Sequence, residues 1–328
     1  MRFLGFVAVL FIAAAGVVAA GFFWLQAELY RPGPSNEEKL VLIKPGSSGR
    51  QIAQRLVDEG VITTPLAFRI AARVQPGGHF KAGEFAIPAQ ANLNDVMAQL
   101  RDGKVYQRNV TFAEGLTSLE IVETLNAAEG MTGTVEAIPA EGSLLPETYS
   151  FTREEPRAKI IARMQESMQK TVAELWEARA EGLPVKTPEE AVILASIVEK
   201  ETGVAEERAR VAGVFINRLK KGMPLQSDPT VIYALTDGKK KFERKLYRKD
   251  LKFESPYNTY TIPGLPPGPI ANPGRAAIAA VLQPEEHGFY YFVADGTGGH
   301  IFAESYDKHK QNVINWWKFK KSQKGKEG

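Results

Sequence analysis

The sequence predicts an α+β protein with three parts: an N-terminal transmembrane helix, a small α/β region, and a mainly helical domain with long loops. Three observations predict this. No charged residue occurs from Phe3 to Leu25. Between residues 40 and 125 a strand, a turn and a helix recur three times. Amphipathic stretches at 158–181, 188–201 and 205–220 then precede a segment rich in Gly and Pro. A chain of 328 residues, 44% of them hydrophobic, can bury a sizeable core, and its length favours two or more folding units.

The uncharged run spans 23 positions, about 34 Å as a helix, and a bilayer core needs about 20 such residues. Arg2 precedes the run and Glu28 is the first charge after it. The positive-inside bias therefore puts the N-terminus in the cytoplasm and the rest of the chain outside. The small residues around Val18–Ala20 resemble a signal-peptide cleavage site. The run, however, is longer than the usual ~7–15 residues of a signal sequence, and Trp24 and Tyr30 stand where interface aromatics would. A retained anchor over 1–27 is expected, followed by a polar, Pro-containing linker over 28–39.

The repeat is a spacing of apolar residues. Leu40–Ile43 leads through Pro45-Gly46-Ser47-Ser48 to helix anchors Ile52 and Leu56. Glu84–Ile87 leads through Asn92 to Val96 and Leu100, and Asn109–Phe112 leads through Gly115 and Thr117 to Ile121 and Leu125. In each unit the anchors follow the last strand residue by nine and thirteen positions. A four-residue spacing is one face of a helix. These units define a β-turn-α region over 40–140. A second domain runs over 141–318, and a basic tail over 319–328 carries few apolar residues and is expected to be disordered.

Composition excludes several chemistries. There are no cysteines, so disulfides, thiolate catalysis and Cys-ligated metals are out. The four His, at 79, 287, 300 and 309, lack the spacing of a metal site. A net charge of +3 is too small to imply nucleic acid. The dense basic run 239–249 reads as a solvated loop.

Chemistry concentrates on one helix. In Thr187-Pro-Glu-Glu190, Thr187 can cap, Pro188 suits the first helical position and Glu190 completes a capping box. The residues Ala191–Val198 are apolar nearly all round, so this helix should cross the core, and Gly203 should end it. Glu199 lies one turn from the end of that helix, where desolvation would raise its pKa and keep it protonated. A protonated carboxyl beside a cleft suits glycosidic cleavage, although a Glu at a helix end is more often a surface residue. Glu201 lies about 200° further round and cannot face the same bond. In Ser227-Asp-Pro-Thr230, Asp228 reads first as a helix cap.

Several runs resemble a known family when taken together. They are Glu141–Tyr149, Leu194-Ala-Ser-Ile-Val-Glu-Lys-Glu-Thr202, Val214–Leu219, Leu225–Tyr233, Tyr257–Tyr260, Gly264–Gly274 and Tyr291–Gly296. In this order they resemble the YceG-like family of endolytic murein transglycosylases, and the resemblance covers the chain from the anchor to about Lys318. Ser143 departs from the aromatic residue more often found there. Residues 43–53 also resemble the opening of LysM glycan-binding modules, which leaves a wall-binding platform and an ordinary spacer both open.

The resemblance implies a single-pass protein of the bacterial inner membrane, with a LysM-like subdomain and a periplasmic catalytic domain. It implies cleavage between N-acetylmuramic acid and N-acetylglucosamine within peptidoglycan strands, with Glu199 as the catalytic residue. One carboxyl suffices for that reaction. It protonates the leaving oxygen, then takes the proton of the sugar's C6 hydroxyl as that hydroxyl closes a 1,6-anhydro ring. No metal or cofactor is expected. Gln226, Tyr257, Asn258 and Tyr260 stand in the matching loops as candidate substrate-binding residues. Ser196, beneath Glu199, is expected to bond to the backbone. Peptidoglycan synthases are the protein partners the family suggests. Two rivals are a lysozyme-like hydrolase using Asp228 to orient water, and a non-catalytic wall scaffold.

Overall fold

A computed structural model describes residues 2–75 and 77–324. The chain divides into two compact units, residues 1–108 with 150–155, and residues 109–149 with 156–328. Helix and sheet are mixed, as the sequence predicts.

The first unit begins with α1 (Arg2–Tyr30), of which Gly5–Tyr30 is long and apolar enough to cross a membrane. The helix runs into the expected linker because Leu25 and Leu29 are buried in the core of this unit. The strands β1 (Lys39–Ile43) and β2 (Gly83–Ile87) pair antiparallel, with Val41 opposite Phe85. Between them lie α2 (Gly49–Asp58) and α3 (Pro65–Val74), and α4 (Leu93–Asp102) follows β2. Ser48 closes a complete capping box with Gln51 at the start of α2, and Asn92 caps α4 through the Asp95 amide. The expected anchors Ile52, Leu56, Val96 and Leu100 are all buried in one cluster. The expectations did not include α3.

The second unit starts in β3 (Arg108–Thr111), which pairs with β4 (Thr148–Phe151). Its first helix, α5 (Ser118–Ala127), carries a full capping box between Thr117 and Glu120. The third β-turn-α segment therefore falls with the second unit, where the sequence division had grouped it with the first two. Asn272 explains the placement: its amide group bonds to the Leu116 carbonyl at 3.1 Å and to Ser118 Oγ at 3.1 Å.

Helical packing dominates from there. α6 (Arg157–Glu177), α7 (Pro188–Glu201), α8 (Arg208–Lys220) and α10 (Arg275–Leu282) share one apolar core, with Leu194, Ala195, Ile197 and Val198 of α7 fully buried in it. The short α9 (Asp228–Thr236) interrupts the loop-rich stretch, and the hairpin β5 (Tyr291–Ala294) with β6 (His300–Ala303) follows α10. The last helix, α11 (Tyr306–Lys324), continues through most of the tail expected to be disordered. Lysines are good helix formers, and the Lys320 ammonium sits 4.7 Å over the Trp316 ring one turn earlier. Residues 325–328 of that tail lie outside the described residues.

Candidate active site

The start of α7 follows its sequence signals with one adjustment. The Thr187 side chain accepts from the Glu190 amide and Pro188 occupies the first turn. The Glu190 carboxylate reaches back one residue further than a capping box requires, accepting from the Lys186 amide at 2.6 Å. The helix ends at Glu201 with Thr202 as its cap.

Glu199 sits one turn before that end with 6% of its side chain exposed. Its Oε2 accepts one hydrogen bond, from the Gly274 amide at 2.9 Å. Arg208 Nη2 lies 3.9 Å from Glu199 Oε1 and also 3.9 Å from Glu114 Oε2, too far for a hydrogen bond to either. Arg208 Nε is buried with no hydrogen-bond partner among the described residues. Burial raises the pKa of Glu199 above the ordinary carboxylate range and the charge of Glu114 adds to this; the Gly274 amide, Arg208 and Lys200 offset only part of it. The result is a carboxyl that keeps its proton to higher pH than an ordinary glutamate does.

The loops around Glu199 are held by backbone contacts. Gly115 donates to the Asn272 carbonyl at 3.0 Å, and Asn272 donates to the Leu116 carbonyl at 2.9 Å. Lys200 Nζ donates to the Gly115 carbonyl at 3.0 Å. Gly115 has φ +76°, and a Cβ there would stand 3.4 Å from Glu199 Cγ, so glycine suits both the turn and the approach. Ser196 Oγ donates to the Ile193 carbonyl at 2.7 Å and accepts from the Ile270 amide at 3.0 Å. The backbone role expected of Ser196 is present, and it also fastens the Pro/Gly run to α7. A cleft of about 720 Å³ is lined by Lys200, the residue after Glu199, together with Thr117, Glu120, Tyr233 and Ile270. Lys239–Glu243, the start of the basic run read as a solvated loop, forms part of its wall.

Glu201 is set among Asp228, Arg218 and Tyr260, away from these groups, and burial foremost pushes its pKa up to about 7. The two carboxyls of the helix end thus have separate surroundings, as the 200° rotation requires. Asp228 is the first residue of α9, while Ser227 holds the cap position without a side-chain cap bond. The Asp228 carboxylate instead accepts the Tyr260 hydroxyl at 2.6 Å.

The four candidate binding residues separate into different places. Gln226 is exposed with φ 51°, held in that strained conformation by its amide bond to the Thr259 carbonyl at 3.1 Å. Tyr260 is engaged with Asp228. The Tyr257 ring packs against Tyr233 with centroids 4.8 Å apart. Asn258 is fully buried, and its side chain bonds to the Leu251 and Phe253 carbonyls and the Tyr260 amide. Those bonds shape the loop and leave Asn258 no face for a ligand.

Sequence reasoning missed four groups: Glu114, Arg208, Asn272 and Glu141. Burial foremost raises Glu141 to about 7, and its carboxylate accepts from the Ser118 amide. Glu141 and Asn272 stood inside quoted runs, which was a usable signal. Glu114 and Arg208 carried none.

Comparison with known proteins agrees with this architecture. The sequence profile described as the YceG-like family matches residues 41–315. An endolytic murein transglycosylase of Bacillus subtilis is 30% identical over 329 aligned residues, covering 90% of each chain. One of Streptococcus pneumoniae is 28% identical over 90% of this chain, which spans 62% of that protein's length. The crystal structure of a YceG-like protein from Listeria monocytogenes superposes with a TM-score of 0.53 at 28% identity, covering 84% of this chain and 99% of that one. The chain belongs to the YceG-like family.

Proposed function

We propose that this chain is a membrane-anchored lytic transglycosylase that cleaves N-acetylmuramic acid–N-acetylglucosamine bonds within peptidoglycan strands, leaving 1,6-anhydro ends. The observation that carries the reading is Glu199: a buried carboxyl near the end of α7 whose pKa is raised, bonded to the Gly274 amide and 3.9 Å from Arg208. The names of the relatives supply the substrate class. Glu199 protonates the leaving oxygen as the C1–O bond breaks. Its carboxylate then accepts the C6 hydroxyl proton while that oxygen bonds to C1, so neither water nor a second carboxylate is required. The separate surroundings of Glu201 and the engagement of Asp228 with Tyr260 favour this over hydrolysis.

Arg208 retains unmade hydrogen bonds and faces the same carboxyl, which suits it to hold an acceptor group of the sugar. Gln226, Tyr257 and Tyr260 are proposed as sugar-facing residues and Asn258 as a loop former. The first unit is proposed as the LysM-like subdomain, and the second as the periplasmic catalytic domain.

The test is mass spectrometry of products from purified glycan strands. Wild type should give 1,6-anhydromuramyl ends and Glu199→Gln none. Reducing ends would instead indicate a hydrolase, and equal product from both proteins would place the acid elsewhere.

A further inference from the structure

Helix α3 turns an unusual face outward. Ala67, Phe68 and Ala71 bury one side of it completely. At about 100° per residue the opposite side carries Leu66, Arg69 and Arg73, while Ile70 packs partly against the core and Val74 is the last residue of the helix. Leu66 is 51% exposed and Val74 63% exposed. A short helix that shows aliphatic residues flanking arginines has the composition of one lying in a membrane interface.

The surroundings extend the positive charge. A groove of about 830 Å³ is lined by Arg69 and Arg73 together with Arg50, His79, Phe80 and Arg101, and by no Asp or Glu. No ion pair engages any of the four arginines among the described residues. Arg101 lies 5.0 Å over the Phe80 ring, and its Nε is buried without a partner. Such a groove, with four arginines and no carboxylate in its lining, suits an anion.

The same unit holds the apolar span. Leu25 and Leu29 of α1 share a buried cluster with Ala67, Phe68 and Ala71 of α3. The four residues between Leu25 and Leu29 rise about 6 Å, so α3 packs on the last turns of the helix that meets the bilayer surface. Glu28 also accepts the Thr64 hydroxyl at 2.7 Å, which fixes the start of α3 to the end of α1.

We infer that the outward face of α3, with Arg50 and Arg101 beside it, rests on anionic phospholipid headgroups, the arginines taking phosphates and Leu66 and Val74 entering the acyl boundary. This rests on α1 spanning the bilayer. The docking fixes the tilt of the first unit on the membrane, which a single helix alone leaves free.

The chain has no cysteine, so one introduced thiol carries a unique label. Full-length Val74→Cys, bearing an environment-sensitive fluorophore, is placed in nanodiscs whose lipids carry a spin-label quencher. Discs of phosphatidylcholine are compared with discs of phosphatidylcholine and phosphatidylglycerol in equal parts. Quenching should be about fivefold stronger in the anionic discs. It should fall to the phosphatidylcholine level when Arg69→Gln and Arg73→Gln are added, or in about 1 M salt, where the screening length is ~3 Å. A label at Phe11→Cys, within α1, is the companion measurement. Quenching at Phe11 without quenching at Val74 overturns this inference and leaves the anchor standing, whereas no quenching at either overturns both. Equal quenching in the two lipids refutes the phosphate contact. Arginine-dependent binding of a soluble disaccharide-peptide, with no lipid effect, would assign the groove to the wall instead.

Discussion

Glu84 on β2 and Glu199 on α7 are both withdrawn from water, yet they are driven to opposite acidities. Glu84 has no exposed side-chain surface and Glu199 keeps 6%. Burial acts first on each and would raise both pKa values. At Glu84 two arginines overcome it: Arg108 bonds to both carboxylate oxygens at 2.9 and 3.1 Å, and Arg153 adds a bond at 2.9 Å, holding the group below its ordinary range. At Glu199 the one hydrogen bond among the described residues comes from a neutral backbone amide, and the nearest guanidinium is shared with Glu114 at 3.9 Å. Burial alone therefore does not make an acid. Keeping cations at arm's length does.

The largest effect expected from this comparison is on turnover. Glu199→Gln should lower strand cleavage by about 10²–10⁴-fold with no loss of thermal stability, because it removes a charge that folding must desolvate. A drop in activity accompanied by a large fall in melting temperature would show that Glu199 holds structure, as Glu84 does.

Next comes stability. Glu84→Gln should destabilise the first unit by roughly 1–3 kcal/mol, read by calorimetry. The cost stays below that of a fully buried pair, because Arg108 and Arg153 are 28% and 45% exposed and can return to water. An unchanged melting profile would break the comparison at its structural end.

The pH dependences should also oppose one another. The Glu84 pKa is depressed on folding, so its contribution is present above the unfolded value and is lost as pH falls through the folded one. The Glu199 pKa is raised, so its contribution is present below the unfolded value and is lost as pH rises through the folded one. Wild type should lose stability in acid, and Glu84→Gln should flatten that limb.

The smallest effect is a displacement of the activity profile. Glu114→Gln removes a charge that raises the Glu199 pKa, so the limb on which kcat/KM falls with rising pH should move to lower pH. Arg208→Gln should move it to higher pH. Movement of both variants in one direction would mean that neither acts through Glu199.

The structure shows how far local pattern reaches. The three β-turn-α segments were legible because each depends on residues within a few positions, and the folded chain adds that Ser48, Asn92 and Thr117 cap their helices. The burial of α7 was legible because a helix apolar all round has only a core to enter. The loop residues were harder. Asn258 carries the same side chain whether it binds a sugar or its own backbone, and only the folded loop reveals three internal partners. The tail was expected to be disordered from its polarity alone, a property that a surface helix such as α11, which runs to Lys324, shares with a disordered chain.

By itself, then, the sequence determined the apolar span, the repeated units and the placement of Glu199 near the end of a buried helix, since periods of 2 and 3.6 residues are short-range properties. Tertiary structure alone decided what Glu199 meets. Gly274 lies 75 positions away in sequence, and Glu114 and Arg208 arrive from two further segments. Periodicity states which face of a helix is buried. It does not state which charges the rest of the chain brings to that face, and those charges decide how much of the rise caused by burial is kept.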